Sequence, residues 1–587
     1  MIRYPYSFTL ATLSTTVMVN RSDSDPADWL SRRRLLQTAG GASIVGLAGC
    51  AGGGGDGGSS GDGGSGDGGS DDGGSDESTP TDTETSSDES TDSSGGTLKV
   101  AQVKSPADWD PVLQLGGPAA IIGERFYSNL YTYDEGTNVV PDDLVTGMPE
   151  TERDGQRWIV EIVDDATFHN GDPITAEDVA YTYRAPIEEE TRMATTYSMV
   201  DSIETIDETT VQFDLDYSYA AFASGLAQMG VVPKSVREED PEAFNTTSPV
   251  GSGPFRFVEW RENQYTHLEK WDDYWGEKDP NVDRIEWIPI PEPTTRITEF
   301  KSGDIHLMQG IPPKLYSTVE SMGNAQVHET PALSYRYLTF NLNEGETTKP
   351  QVREAIDRTF DMDQFVEKFV APAGVRQYQP IPIPTAQAWD MPIEEFESMA
   401  VGKDIDQAKT LLDDANVPSD WTCTLLSPPD DVRENLCVTV ANGIKEAGYD
   451  AEVQRLDWGT YLETFASGNE DDYQMYALGW SVTPDPDYQM YSMYHESGAG
   501  SNHGHYWSDD EVMQMIEESR RTTDRERRRE LYIEIQKEVI SQRVQLPGWN
   551  LKETWARKDA VQDFQVHPVP TENPRIVTGY NNVSLDG

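Results

Sequence analysis

The chain has 587 residues, with 103 acidic side chains against 45 basic ones and a formal net charge of −58. That balance argues against nucleic acid as a partner and against charge-driven binding to anionic lipid, since both reward positive surface. Only 36% of residues are hydrophobic, yet 14 Trp, 26 Tyr and 16 Phe can build a large core, so the whole chain is not disordered. The basic residues are 15 Lys and 30 Arg. An acidic, lysine-poor globular chain suits concentrated salt, where screening shrinks its self-repulsion. A halophilic, haloarchaeal source is expected, and a melting temperature that did not rise between low and molar salt would count against it.

In chain order, "SRRRLLQTAGGASIVGLAGC" (31–50) places three arginines before a short, weakly apolar run. The run is shorter than the ~20 residues of a comfortable membrane span. It reads as a secretory signal of the twin-arginine type, with Arg32 and Arg33 as the export pair. "LAGC" is similar to a lipoprotein box with Cys50 as the lipidated residue; the bland alternative is a small buried helix with an ordinary cysteine. Residues 1–17 fit such a leader poorly, and Met18 is an alternative start. Residues 51–96 are almost entirely Gly, Asp, Ser, Thr and Glu, which cannot bury apolar surface and read as a disordered tether. As a flexible coil the tether would hold a domain roughly 35–40 Å from its anchor.

Residues 97–587 form the predicted folded part. "TLKVAQV" (97–103), "RWIVEIVDD" (157–165) and "TTVQFDLD" (209–216) alternate as strands. "QVREAIDRTFDMDQFVEKFV" (351–370) has helical spacing, with Val352, Ile356, Phe360 and Phe365 near one face. "DDEVMQMIEESRR" and "RERRRELYIEIQKEVISQR" read as two amphipathic helices near the end. Strands and helices interleave, so the fold class is α/β.

"FHNGDPITAEDVAYTYR" (168–184) packs His169, Asp172, Glu177 and Asp178 into ten residues. A metal or acid–base site is one reading. A turn feeding a helix is the other, and each residue has a place in it. Asn170, Gly171 and Pro173 are turn residues. Thr175 is the N-cap, with Asp178 three positions on in a capping-box-like arrangement. Glu177 and Asp178 then sit in the first turn, where the helix dipole favours negative charge.

The same stretch resembles the signature of the extracellular solute-binding protein family 5, which holds the dipeptide-, oligopeptide- and nickel-binding components of ABC importers. "VVPK" (231–234), "PVGSGPFRFVEW" (249–260), "WDDYWG" with "SGDIHLM" (271–308), "YLTFNLN" (337–343) with "QVREAIDRTFDMD" (351–363), "YALGWSVTPDPD" (476–487) and the final helix follow in the family's order. The resemblance runs from residue 97 to about 570. It implies a two-lobed, periplasmic-binding-protein-like clamshell with an extra subdomain in the first lobe. The first lobe would comprise 97–131, 235–335 and 545–587, the extra subdomain 132–234, and the second lobe 336–544. The function implied is capture of a peptide or similar small solute by hinge closure, with delivery to the permease and ATPase subunits of an importer. An oligosaccharide or a nickel complex is the alternative ligand. A monomer without a cofactor is expected.

In the resembling peptide binders an Asp three residues after the Trp of this motif contacts the peptide's α-amino group. Here Thr483 holds that place after Trp480, so either Asp485 or Asp487 substitutes, or the ligand carries no amine. Trp480 is a candidate apolar wall, with ordinary core packing as its bland reading. Tyr335 and Tyr337, near the expected crossing between lobes, are second candidates; Trp458, with Tyr461, comes third. His495, His503 and His505 suggest a metal, but no Cys or close carboxylate completes a shell, and the reading favours a polar loop. A tethered hydrolase is the rival function class. It needs a nucleophile or metal constellation, and the sole G-x-S-x-G match, 57–61, lies in the tether. Cys423 in a strand and Cys437 in the next helix would need a favourable crossing to form a disulfide. Asn245 and Asn582 match glycan acceptor patterns.

Overall fold

A computed structural model describes residues 95–113 and 115–586, which belong to one compact unit. The export arginines, Cys50 and nearly all of the expected tether lie outside the described residues. The central feature is a single mixed sheet. In its first half, Thr97–Gln102 runs parallel to Arg284–Pro289 on one side and to Leu307–Gln309 on the other. Tyr265–Lys270 and Phe255–Arg261 continue it as antiparallel neighbours. Leu98 and Val100 are fully buried here, as the alternation of the segment requires.

In the second half, Thr422–Ser427 lies parallel to Asp450–Arg455 and to Met475–Ser481. Ser334–Phe340 then pairs antiparallel with Met475–Ser481. Side chains alternate across this sheet. Leu338, Phe340, Leu425, Met475 and Ala477 meet one apolar cluster, with Val352, Phe365 and Leu436 from helices. Tyr335, Tyr337, Leu426, Tyr476 and Leu478 meet another, with Met490, Ile516 and Ile535. Helices therefore cover both faces, which is why these strands carry so few polar side chains.

One strand, Gln545–Lys558, joins the halves. Its first residues pair with Ser334–Phe340 and Gly374–Arg376. Its last residues run between Leu307–Gln309 and Ala325–Pro331. Its pairing partners change near Leu551 and Lys552, inside a continuous strand. The extra subdomain carries a four-stranded antiparallel sheet, Glu150–Glu152, Arg157–Glu161, Thr210–Leu215 and Val200–Thr205, covered by the helix Ala176–Glu188.

The capping box is formed as the sequence predicts. Thr175 accepts from the Asp178 amide, and the Asp178 carboxylate accepts from the Thr175 amide at 3.0 Å. His169 is half-buried, donates through Nε2 to Gly253 O (3.0 Å), and packs edge-on to Trp271; burial pushes its pKa down to about 4. These contacts are structural. Thr175→Ala is expected to cost about 1 kcal/mol of stability while leaving ligand affinity unchanged, as denaturation and calorimetry would read. Lost affinity at normal stability would return the stretch to a functional role.

One expectation differs from the structure. The 351–370 segment forms two helices, Pro350–Asp357 and Met362–Phe369, because Asp361 caps the second by accepting from Gln364 N at 2.9 Å. Cys423 and Cys437 are both free and buried, so no disulfide joins them.

Candidate functional site

After Met475–Ser481 the chain turns at Val482, whose amide donates to Leu333 O at 3.1 Å. Val482, Thr483 and Pro484 then form one wall of a cavity of about 310 Å³. The helix Gly117–Phe126 of the first lobe forms another through Ala120, Gly123 and Glu124. Met193 and the 227–230 segment close it from the extra subdomain, and Val569 to Thr571 from the C-terminal segment. The cavity therefore lies where the second lobe's 482–484 loop meets the first lobe and its subdomain.

The structure separates the sequence candidates. Thr483 lines the cavity. Trp480 is half-buried beside it in sequence, at the end of its strand, with Tyr488 edge-on at 6.4 Å and its indole N–H buried without an acceptor. Tyr335 and Tyr337 are fully buried and stacked on each other at 5.0 Å, part of the second lobe's core, and are not among the walls of this cavity. Trp458 is 47% exposed and stacks on Tyr461; it is not among the cavity walls.

Both aspartates of the loop lie against arginines. Asp485 receives Arg528 through both oxygens, at 2.6 and 3.1 Å, and also caps the helix Pro486–Tyr494. Asp487 is almost fully buried, 3.4 Å from Arg520. Burial raises the Asp487 pKa, against the pull of Arg520. The sequence could not show this, because Arg520 and Arg528 lie more than thirty residues further on.

The histidines are likewise engaged. His503 and His505 stack at 3.8 Å, with their Nε2 atoms on His495 O (3.1 Å) and Met493 O (2.7 Å). His505 Nδ1 accepts from Trp507 N, so the ring is neutral and donates through Nε2. Among the described residues no group of three or more His, Cys, Asp or Glu is arranged to hold a metal ion. Both asparagines of the glycan acceptor patterns make hydrogen bonds. Asn245 Oδ1 takes the amides of Trp109 and Asp110, and Asn582 Nδ2 donates to Asp279 O.

Glu124 is the residue that sequence reading passed over. It is half-buried in the cavity wall and accepts from Asn129 Nδ2 at 2.9 Å. Burial, then the nearby Glu572, push its pKa up, while Arg125 opposes them. The available signal was one carboxylate, beside Arg125, after an apolar run in "AAIIGERF".

Two lobes joined by adjacent strands, with a small-molecule-sized cavity at their junction, define a solute-binding protein. The chain belongs to the bacterial extracellular solute-binding proteins, family 5: the model described as "family 5 Middle" matches residues 139–501. This is a family of binding proteins and not of enzymes. The oligopeptide-binding protein AppA of Bacillus subtilis is 26% identical over 495 residues, covering 81% of this chain and 90% of that protein. The solved structure of Bacillus subtilis AppA with a nonapeptide superposes with a TM-score of 0.61 at 23% identity, covering 84% of this chain and 99% of that one. HbpA2 from Haemophilus parasuis gives a TM-score of 0.74 at 18% identity, covering 84% and 100%. Among the described residues no helix is long and apolar enough to cross a membrane.

Proposed function

We propose that this protein is the membrane-anchored, extracellular substrate-binding component of an ABC importer, and that it captures a peptide between its lobes for delivery to a permease. The observation that carries the reading is the cavity of about 310 Å³ walled by both lobes and the extra subdomain. Closing lobes around a solute there would bury it, and the solute would shift the open–closed equilibrium by its preference for the closed form. The peptide class is supported by relatives such as the oligopeptide-binding protein AppA. Anchoring is supported by the sequence order of export arginines, Cys50 and polar tether.

Native mass spectrometry of the purified protein tests the ligand class directly. A ladder of peptide masses supports the reading; a sugar or metal complex overturns its ligand class. With the co-purified peptides identified, Trp480→Ala tests whether this half-buried ring, two residues before the cavity wall, reaches them; a ligand contact there is expected to cost at least tenfold in affinity, about 1.4 kcal/mol. Wild-type affinity in that variant would remove Trp480 from the site.

A further inference from the structure

We infer that the turn between the last two helices of the second lobe is a latch, which grips the extra subdomain and slows solute release without touching the solute. The inference rests on the capture reading and gives the subdomain a part in it.

The helices Asp510–Arg521 and Arg525–Ser541 meet at residues 522–524. Six arginines fall between 520 and 530, in a chain with only 45 basic residues. Three of them pair with acids of the same two helices: Arg521 with Glu517 at 3.2 Å, Arg527 with Glu518 at 2.7 Å, and Arg529 with Glu526 at 3.0 Å. The other three reach further. Arg520 O accepts the Ala220 amide of the subdomain at 3.0 Å. Its guanidinium lies 4.9 Å from the ring centre of Tyr219, 5.9 Å from that of Tyr217, and 3.9 Å from that of Tyr491 in its own lobe. Arg525 Nη2 donates to Asn138 Oδ1 of the subdomain at 2.6 Å and to Ala388 O of its own lobe at 2.8 Å. Between these two arginines, Thr523 comes so close to the subdomain turn Arg153–Gly155 that a Cβ on Gly155 would lie 2.6 Å from its Cγ2. Gly155 also has a φ of 86°, which suits glycine on a second count. Three separate segments of the subdomain thus converge on one turn of the second lobe.

The same turn holds the cavity loop. Arg520 lies 3.4 Å from Asp487, and Arg528, the third of these arginines, takes Asp485 at 2.6 Å. Asp485 directly follows Pro484 of the cavity wall. A solute that draws this loop toward the first lobe therefore carries the turn onto the subdomain. Contacts made only in the closed form raise apparent affinity by raising the closed fraction. A guanidinium set between aromatic faces and away from bulk water is screened little by salt, whereas an exposed ion pair is weakened by it.

The test uses the full-length protein and a pool of tri- to pentapeptides as the probe. Hydrogen exchange on fragments covering 217–222 follows the Ala220 amide, whose partner is Arg520 O while the latch is engaged. Saturating peptide should slow its exchange in wild type by about tenfold or more. Tyr219→Ala leaves the Arg520–Asp487 and Arg528–Asp485 pairs in place. It should lose that slowing and release peptide about fivefold faster or more, with the association rate unchanged. If the variant folds poorly, the wild-type exchange comparison decides alone. Equal exchange with and without bound peptide, or wild-type release from Tyr219→Ala, overturns the latch and leaves the capture reading intact. If wild type binds no peptide of the pool, the peptide reading fails. The exchange comparison is then made between protein as purified and protein stripped by dialysis from guanidinium, where equal exchange overturns the latch and slower exchange before stripping supports it.

Discussion

Asp485→Ala is expected to destabilise the protein by about 3–5 kcal/mol, because it strands a buried charge. The Arg528 side chain is 6% exposed and has Asp485 as its carboxylate partner, with Ser519 O and Tyr532 Oη as its other contacts. The same substitution removes the cap of the helix Pro486–Tyr494, a contribution of about 1 kcal/mol on its own. Adding Arg528→Leu should restore part of the loss, since an absent pair costs less than a broken one. Equilibrium denaturation of the single and double variants reads both effects. A loss below about 1 kcal/mol, with peptide binding abolished, would show instead that the carboxylate serves a ligand.

Cys50→Ser should move the full-length protein from the membrane fraction into the medium. This follows from the proposed anchor, in which a diacylglyceryl group supplies the more than one acyl chain that stable attachment needs. Fractionation and immunoblotting decide it; a Ser variant that still sediments with membranes removes the anchor from the proposal. Replacing Arg32 and Arg33 with Lys should separately keep the protein inside the cell, by the twin-arginine reading of the leader.

Local features were legible in the sequence because their causes are local. The alternation at 97–103 and at 209–216 reports which face of a strand is buried, and the strands lie there. Thr175 and Asp178 are three residues apart, and so is the contact they make. The glycines of "PVGSGPF" were readable only as a resemblance. Their reason is tertiary: a Cβ on Gly251 would lie 1.9 Å from Phe126 O, and one on Gly253 would lie 2.9 Å from the carbonyl oxygens of Arg125 and Tyr127. Gly479 is similar, since Arg336 lies across it and a Cβ there would meet Cδ at 2.0 Å.

What the sequence hid were partners distant along the chain. An aspartate paired with an arginine 43 residues away reads the same as a free one, which is why Asp485 looked available. Glu124 looked like any helix-surface acid, and its place in the cavity wall depends on segments far along the chain, 227–230, 482–484 and 569–571. Tyr335 and Tyr337 carry the same residue type as a ligand wall, and only their strand's face decided for the core. The resemblance supplied two lobes, yet it could not show that one strand pairs with both halves of the sheet.

That strand also inverts the order in which the molecule can be assembled. The second lobe is one continuous stretch that enters and leaves through antiparallel neighbours, Arg336 lying opposite Trp549. The first lobe is discontinuous, and the slot between Leu307–Gln309 and Ala325–Pro331 is filled only by residues at the far end of Gln545–Lys558. A chain emerging from the ribosome amino terminus first therefore has all the residues of its second lobe before the first lobe's sheet can close. Until then those two strands keep open backbone edges, which are prone to pairing with other chains. The same arrangement makes the second lobe an insertion with adjacent ends, a unit that can be exchanged between relatives as a cassette without rebuilding the lobe that receives it.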